Sequence, residues 1–189
     1  MNVVAWWNST LGADQITDTE IRTGLWALRF LAITLAVTPA RQLSGLGALA
    51  KYRRMLGLFA FFYAVIHVFT WSWADMDFDV GLMGREIVKH KYILIGMLTF
   101  VILIPLAFTS TKGWIRRMGG RRWNRLHQLI YVAAVTGTIH YLWAVKKDTF
   151  FPLVYLVVFI ALLGFRAVRS ARMRATRLER ALATRGAAT

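Results

Sequence analysis

The sequence predicts an all-α, polytopic transmembrane helix bundle with five spans in this chain. Three observations predict it. The 189 residues are 57% hydrophobic, above the roughly 45–50% of soluble domains. Residues 24–40, 55–73, 92–108 and 126–143 are apolar runs with almost no charge. Each approaches the roughly 20 residues that a helix needs to cross a bilayer, and residues 150–165 form a slightly shorter fifth run. The connections alternate in charge, with Lys and Arg gathered on one side, which should face the cytoplasm.

Each element follows in order. Residues 1–23 carry Asp14, Asp18 and Glu20 and belong to the outer side. MNVVAWWNSTLGADQ has neither the charged start nor the long apolar core of a signal peptide. Two readings stand: a preceding helix is missing and residues 3–7 are its outer end, or the protein is simply N-out. The first span holds Arg29, ends at Pro39, and is followed by Arg41, Lys51, Arg53 and Arg54. The second ends in Trp71 and Trp73, where interfacial aromatics belong. Asp75, Asp77, Asp79 and Glu86 return the chain to the acidic side. Pro105 should kink the third span, its freed carbonyls met by Thr109, Ser110 or a cofactor. Lys112, Arg116, Arg117, Arg121, Arg122 and Arg125 follow, then the fourth span, ending in Tyr141 and Trp143, then Asp148. The fifth span leads into seven arginines from Arg166 to Arg185, a basic helix expected to rest on anionic headgroups. The organisation expected is a periplasmic segment over 1–23, a transmembrane domain over 24–168 and a basic cytoplasmic tail over 169–189.

Net charge is +15, from 24 Lys+Arg against 9 Asp+Glu. In a soluble protein that balance would suggest nucleic acid. Confined to alternate connections, it points to membrane topology and lipid contact, with no nucleic-acid partner. The absence of cysteine excludes disulfides, iron–sulfur clusters, thiol nucleophiles and covalently attached c-type haem. No glycine-rich phosphate loop, H-E-x-x-H or carboxylate pair lies within a span. Buried histidine is the remaining chemistry.

His67 lies thirteen positions past Arg54, roughly 20 Å along a helix, and so in the outer half of the second span. The fourth span also runs outward, which puts His140 in its outer half and His127 near its cytoplasmic start. His67 and His140 therefore share a depth. Two neutral imidazoles so placed can hold one iron from opposite faces, giving a six-coordinate haem suited to electron transfer. The plainer reading has each histidine bonded to a neighbouring helix or a headgroup. Matched depth favours ligation, since ionisable residues inside a membrane are functional candidates by default. His127 stays open between a cofactor ligand and an interfacial residue. On an ideal helix it is turned about 140° from His140, and at its depth the second span offers only Arg53 and Arg54, which suit a haem propionate or a flavin phosphate. His90 is expected to be solvated. Arg29 either snorkels to the surface or neutralises a propionate of the outer haem.

Thr38-Pro39, RRMLGLFAFFYAVIH at 53–67, PLAFTSTKGWIRRMGGRRWNRLHQLIY at 105–131 and IHYLWAVKKD at 139–148 occur together in this order. Over residues about 10 to 165 the chain resembles the MsrQ family, formerly YedZ, which is related to ferric reductase and NADPH oxidase transmembrane domains. The resemblance implies a bis-histidine b-type cytochrome in the bacterial inner membrane, with residues 24–168 as its ferric reductase-like domain. It implies haem-ligand positions at His67, His127 and His140. It also implies that electrons pass outward to a soluble molybdopterin partner, MsrP, which reduces oxidised methionines, so that this chain is an electron-transfer subunit and not the catalytic one. The donor it implies is a cytoplasmic flavin reductase or the quinone pool, with FMN associated but no flavin or quinone residues assigned. The chain departs from the family in lacking its usual first hydrophobic helix. Ferric reductases carry two histidines on each of two helices, whereas the second span here has one, so a second haem would need an open or non-histidine position. The alternatives are a cation or proton transporter, or a metal reductase-type membrane protein, using the same histidines. A transporter more often places carboxylates inside its spans, and a structural assembly subunit needs no buried histidine.

Overall fold

The computed structural model describes residues 3–145 and 149–186, so Asp148 lies outside the described residues, as do the side chains of Asp14 and Arg185. The described residues form eight α-helices: α1 (Val3–Ser44), α2 (Tyr52–Thr70), α3 (Val80–Lys89), α4 (Lys91–Phe108), α5 (Lys112–Met118), α6 (Gly120–His127), α7 (Leu129–Ala144) and α8 (Phe150–Gly186). Four stretches are long and apolar enough to span a membrane: Gln15–Ser44, Gly47–Asp75, Lys91–Phe108 and Phe150–Thr176. With α7 between the last two, this is a polytopic helical membrane protein. α7 has 16 residues, about 24 Å of helix, because the backbone ladder tightens at its start. The Gln128 N–H is shared between Asn124 and Arg125, and the Tyr131 N–H goes to Gln128 at 3.0 Å.

α1 is longer than the expected span of 24–40. Its polar beginning stays helical through local bonds, among them Arg22 to Asp18 at 2.7 Å and the Thr23 hydroxyl to the Thr19 carbonyl at 2.8 Å, each joining successive turns. Pro39 does not end it either. A proline cannot donate to the carbonyl four residues back, here that of Leu35, and Arg166 Nη2 bonds that carbonyl at 3.0 Å. The helix runs on to Ser44 and stops at Gly45, whose φ of 72° suits glycine.

The acidic connection after α2 is structured. A π-helical turn, Trp71–Asp75, is followed by Asp77 and Phe78 at positive φ, and Asp79 then caps α3 by accepting from the Leu82 N–H at 2.9 Å. At the end of α4, Thr109 and Ser110 bond the carbonyls of Pro105 and Leu106 at 2.6 and 2.7 Å. They close the last turn and do not reach the Val101 carbonyl that Pro105 leaves free. The basic connection folds as α5 and α6, joined at Gly119 with φ 74°.

α1 packs along α2, and α4 along α7; α2 meets α4, and α8 leans on α7 and α1. The centre is Leu28, Leu31 and Leu35 of α1, Ala60 and Ala64 of α2, Leu103 and Leu106 of α4, Ala133 and Ala134 of α7, and Phe159 of α8. The alanines let backbones approach closely, as membrane helices require. Leu94, Leu98, Val101, Phe62, Phe69, Val157 and Ile160 face outward and exposed. So much exposed apolar surface belongs against lipid.

Candidate metal centre

α2 and α7 bring the expected pair together. The ring centroids of His67 and His140 are 6.1 Å apart, with the planes at 73°. Each ring is held by a main-chain carbonyl of a different helix: His67 Nδ1 lies 2.9 Å from the Glu20 oxygen on α1, and His140 Nδ1 lies 2.7 Å from the Tyr92 oxygen on α4. A carbonyl oxygen only accepts, so both Nδ1 atoms carry the proton and both Nε2 atoms are left with a lone pair. That is the tautomer a metal requires. A histidine ligand ordinarily donates its second ring N–H to a carbonyl or carboxylate, which orients the ring and raises its basicity.

The separation also suits a shared ion, since two metal–nitrogen bonds of about 2 Å plus the two ring radii add to about 6 Å. The donor set narrows the kind of ion that the pair could hold. Among the described residues no third His, Cys, Asp or Glu joins the pair. A bare cation would be left with too few ligands, whereas haem iron brings its own equatorial nitrogens and needs protein only at its axial positions. The residues fit haem.

Two glycines absent from the sequence reading complete the centre. A Cβ built on Gly24 would lie 3.1 Å from Nδ1 and Cε1 of His67, and one on Gly96 would lie 2.5 Å from Nδ1 and 2.7 Å from Cε1 of His140. Each imidazole rests on a bare patch of the neighbouring helix. Glycine is common in membrane helices, so position alone gave no signal.

His127 is placed apart, at the end of α6. Its Nε2 is 3.1 Å from Thr109 Oγ1, whose own proton goes to the Pro105 carbonyl, so His127 is the donor. Its ring stacks on Trp123 at 3.9 Å, and Trp123 Nε1 donates to the Thr109 carbonyl at 2.8 Å. The 140° offset from His140 assumed one uniform helix, and the tightened turn at Gln128 removes that premise. His127 lines a cavity of about 280 Å³ shared with Arg53, Arg54, Ser110, Trp123 and Phe61. Arg29 lies elsewhere: its Nε donates to the Tyr155 hydroxyl at 3.1 Å and its guanidinium sits 4.8 Å over the Trp26 ring, a tie between α1 and α8. His90 pairs with Glu86 at 3.1 Å on the rim.

Residues 5–138 match the family model for the ferric reductase-like transmembrane component. The chain is similar to proteins named protein-methionine-sulfoxide reductase heme-binding subunit MsrQ. One from Xanthomonas campestris pv. campestris is 46% identical over 169 residues, covering 89% of this chain and 77% of the relative. One from Xanthomonas oryzae pv. oryzae is 45% identical over 173 residues, covering 92% and 79%. One from Azospira oryzae is 42% identical over 168 residues, covering 88% and 72%. No solved structure matches the chain.

Proposed function

Because the chain belongs to the ferric reductase-like transmembrane family, among the haem-binding subunits of methionine-sulfoxide reductases, we propose that it is a b-type cytochrome carrying electrons across the bacterial inner membrane to a periplasmic molybdopterin subunit of the MsrP kind. The observation that carries this reading is the matched pair of Nδ1–H···O=C bonds at His67 and His140, which leaves two Nε2 lone pairs on opposed helices. When bound, haem supplies a one-electron couple.

The protein's part is to hold and to exclude. His67 and His140 would hold the haem iron through their Nε2 atoms, and the Glu20 and Tyr92 carbonyls fix the rotation and proton position of each ring. A donor enters at the other end of the bundle. The cavity beside His127 supports this, because Trp123 offers an aromatic face and Arg53 and Arg54 offer positive charge, a setting suited to an anionic aromatic carrier such as FMN from a flavin reductase. The quinone pool is the second donor reading, favoured by the apolar lining of Phe61, Leu103 and Leu106.

The test is the reduced-minus-oxidised visible spectrum of membranes at equal expression. His67→Ala and His140→Ala should each abolish the low-spin b-type signal, because either loss leaves five-coordinate iron. His127→Ala should keep it, because His127 is bound to Thr109 and Trp123 and not to the pair. An unchanged low-spin spectrum in His67→Ala would sink the pairing.

A further inference from the structure

The two histidines are seated by one device used twice. On α1, Gly24 follows Glu20 by four residues; on α4, Gly96 follows Tyr92 by four. In an α-helix the carbonyl of residue i already accepts from the N–H of residue i+4, and the side chain of i+4 leans back over that carbonyl because Cβ atoms point toward the N-terminus. With no side chain at i+4, a flat imidazole can lie directly over that carbonyl and donate to it. His67 Nδ1 reaches the Glu20 oxygen at 2.9 Å across Gly24, and His140 Nδ1 reaches the Tyr92 oxygen at 2.7 Å across Gly96.

We propose that Gly24 and Gly96 are positioning residues for the haem ligands, each opening a helix carbonyl so that one imidazole can lie flat on the helix and donate its Nδ1–H. This rests on the reading that His67 and His140 are the axial ligands. The glycines fix which nitrogen is protonated and how each ring is rotated, and hence the crossed arrangement of 73° between the rings. They also tune the iron. Donation to a carbonyl makes the imidazole more basic and favours the ferric state, so losing the bond should raise the midpoint potential.

The two seats differ in tolerance. A methyl at Gly96 would fall 2.5 Å from His140 Nδ1 and 2.7 Å from its Cε1, closer than side chains pack, so the ring must move from its seat. A methyl at Gly24 would fall 3.1 Å from its nearest ring atoms, which a shift of a few tenths of an ångström relieves. Gly137, also on α7, is the control. A methyl there meets Thr99 Cγ2 at 3.4 Å and Leu28 Cδ1 at 3.7 Å, ordinary contacts in the same helix packing.

The experiment compares the full-length protein with Gly96→Ala, Gly24→Ala, Gly137→Ala and His67→Ala. Haem per protein, the low-spin electron paramagnetic resonance signal and the midpoint potential are measured at matched membrane abundance. Gly96→Ala should lose about 10- to 100-fold in haem affinity, the range for removing a partner that supports a metal ligand. Gly24→Ala should keep its haem, with a raised potential and altered low-spin resonances. Gly137→Ala should match the parent. A Gly96→Ala protein with parental haem content, resonances and potential overturns the proposal. Should Gly96→Ala fail to accumulate, parental resonances and potential in Gly24→Ala overturn it instead. If the parent itself has no low-spin haem, or His67→Ala retains it, the ligand assignment has failed and the glycine seats fall with it.

Discussion

Pro39 has no N–H to give the Leu35 carbonyl, and Arg166 supplies the donor from α8. The same guanidinium bonds Thr38 Oγ1 at 2.7 Å and the Tyr131 hydroxyl, and lies 5.2 Å over the Tyr131 ring. One side chain thus joins α1, α7 and α8. Arg166→Met should leave the Leu35 carbonyl without a partner, and a buried polar group so orphaned costs about 1–3 kcal/mol. Thermal unfolding of the detergent-solubilised protein should fall by several degrees, while Thr38→Val should cost less, because it removes one bond of several. Equal unfolding temperatures for parent and Arg166→Met would mean that water replaces the guanidinium. The Thr38-Pro39 pair was visible in the sequence as part of a resemblance. Its purpose was not, because the partner lies at the far end of the chain and nothing local to Pro39 names it. The glycine seats were hidden for the same reason: the carbonyl, the missing Cβ and the imidazole come from two helices.

Helices set the depth of side chains, and depth was legible. A rise of 1.5 Å per residue put His67 and His140 at one level from their distances to the flanking arginines, and the structure brings them to 6.1 Å. α2 and α4 begin within a few residues of their apolar runs, since hydropathy marks where lipid begins. Three features escaped. α1 continues through polar residues, because i,i+4 bonds sustain a helix that hydropathy does not mark. α3 is amphipathic and short, with Val80 and Val88 about 80% exposed, so its apolar residues are too few to register as a span. The turn at Gln128 depends on i→i+3 bonds that carry no residue signature. Orientation is a prediction at this scale. α8 runs from Phe150 to Gly186 as one helix, so its arginine-rich half continues in line from its apolar, membrane-spanning half. A reporter fused after Arg185 should be cytoplasmic, because the arginines from Arg166 onward resist translocation. Alkaline phosphatase activity from that fusion would invert the bundle and, with it, the direction of electron flow proposed here.

At the scale of the whole molecule, charge is divided along the bundle axis. Asp18, Glu20, Asp75, Asp77, Asp79 and Glu86 lie toward the His67 end, and the exposed Arg116, Arg117, Arg121 and Arg122 of α5 and α6 lie beside the cavity that holds His127. α5 and α6 contain no carboxylate, so their field is uncompensated locally and extends over the roughly 8–10 Å that physiological salt allows. A soluble donor with an acidic face would be drawn to that end, and steering of this kind raises association rates by about 10- to 1,000-fold at low salt. Stopped-flow reduction of the haem by a purified flavin reductase should therefore slow as ionic strength rises. Replacing the four arginines by glutamate should slow it at low salt by at least about 10-fold while leaving the oxidised spectrum intact. A lipid-borne quinol arrives by lateral diffusion within the membrane and feels little of this screening. The two donor readings thus separate in one experiment: a rate indifferent to both salt and charge reversal excludes steering of a soluble acidic donor, leaves these arginines as topology signals alone, and assigns the electron entry to the membrane pool.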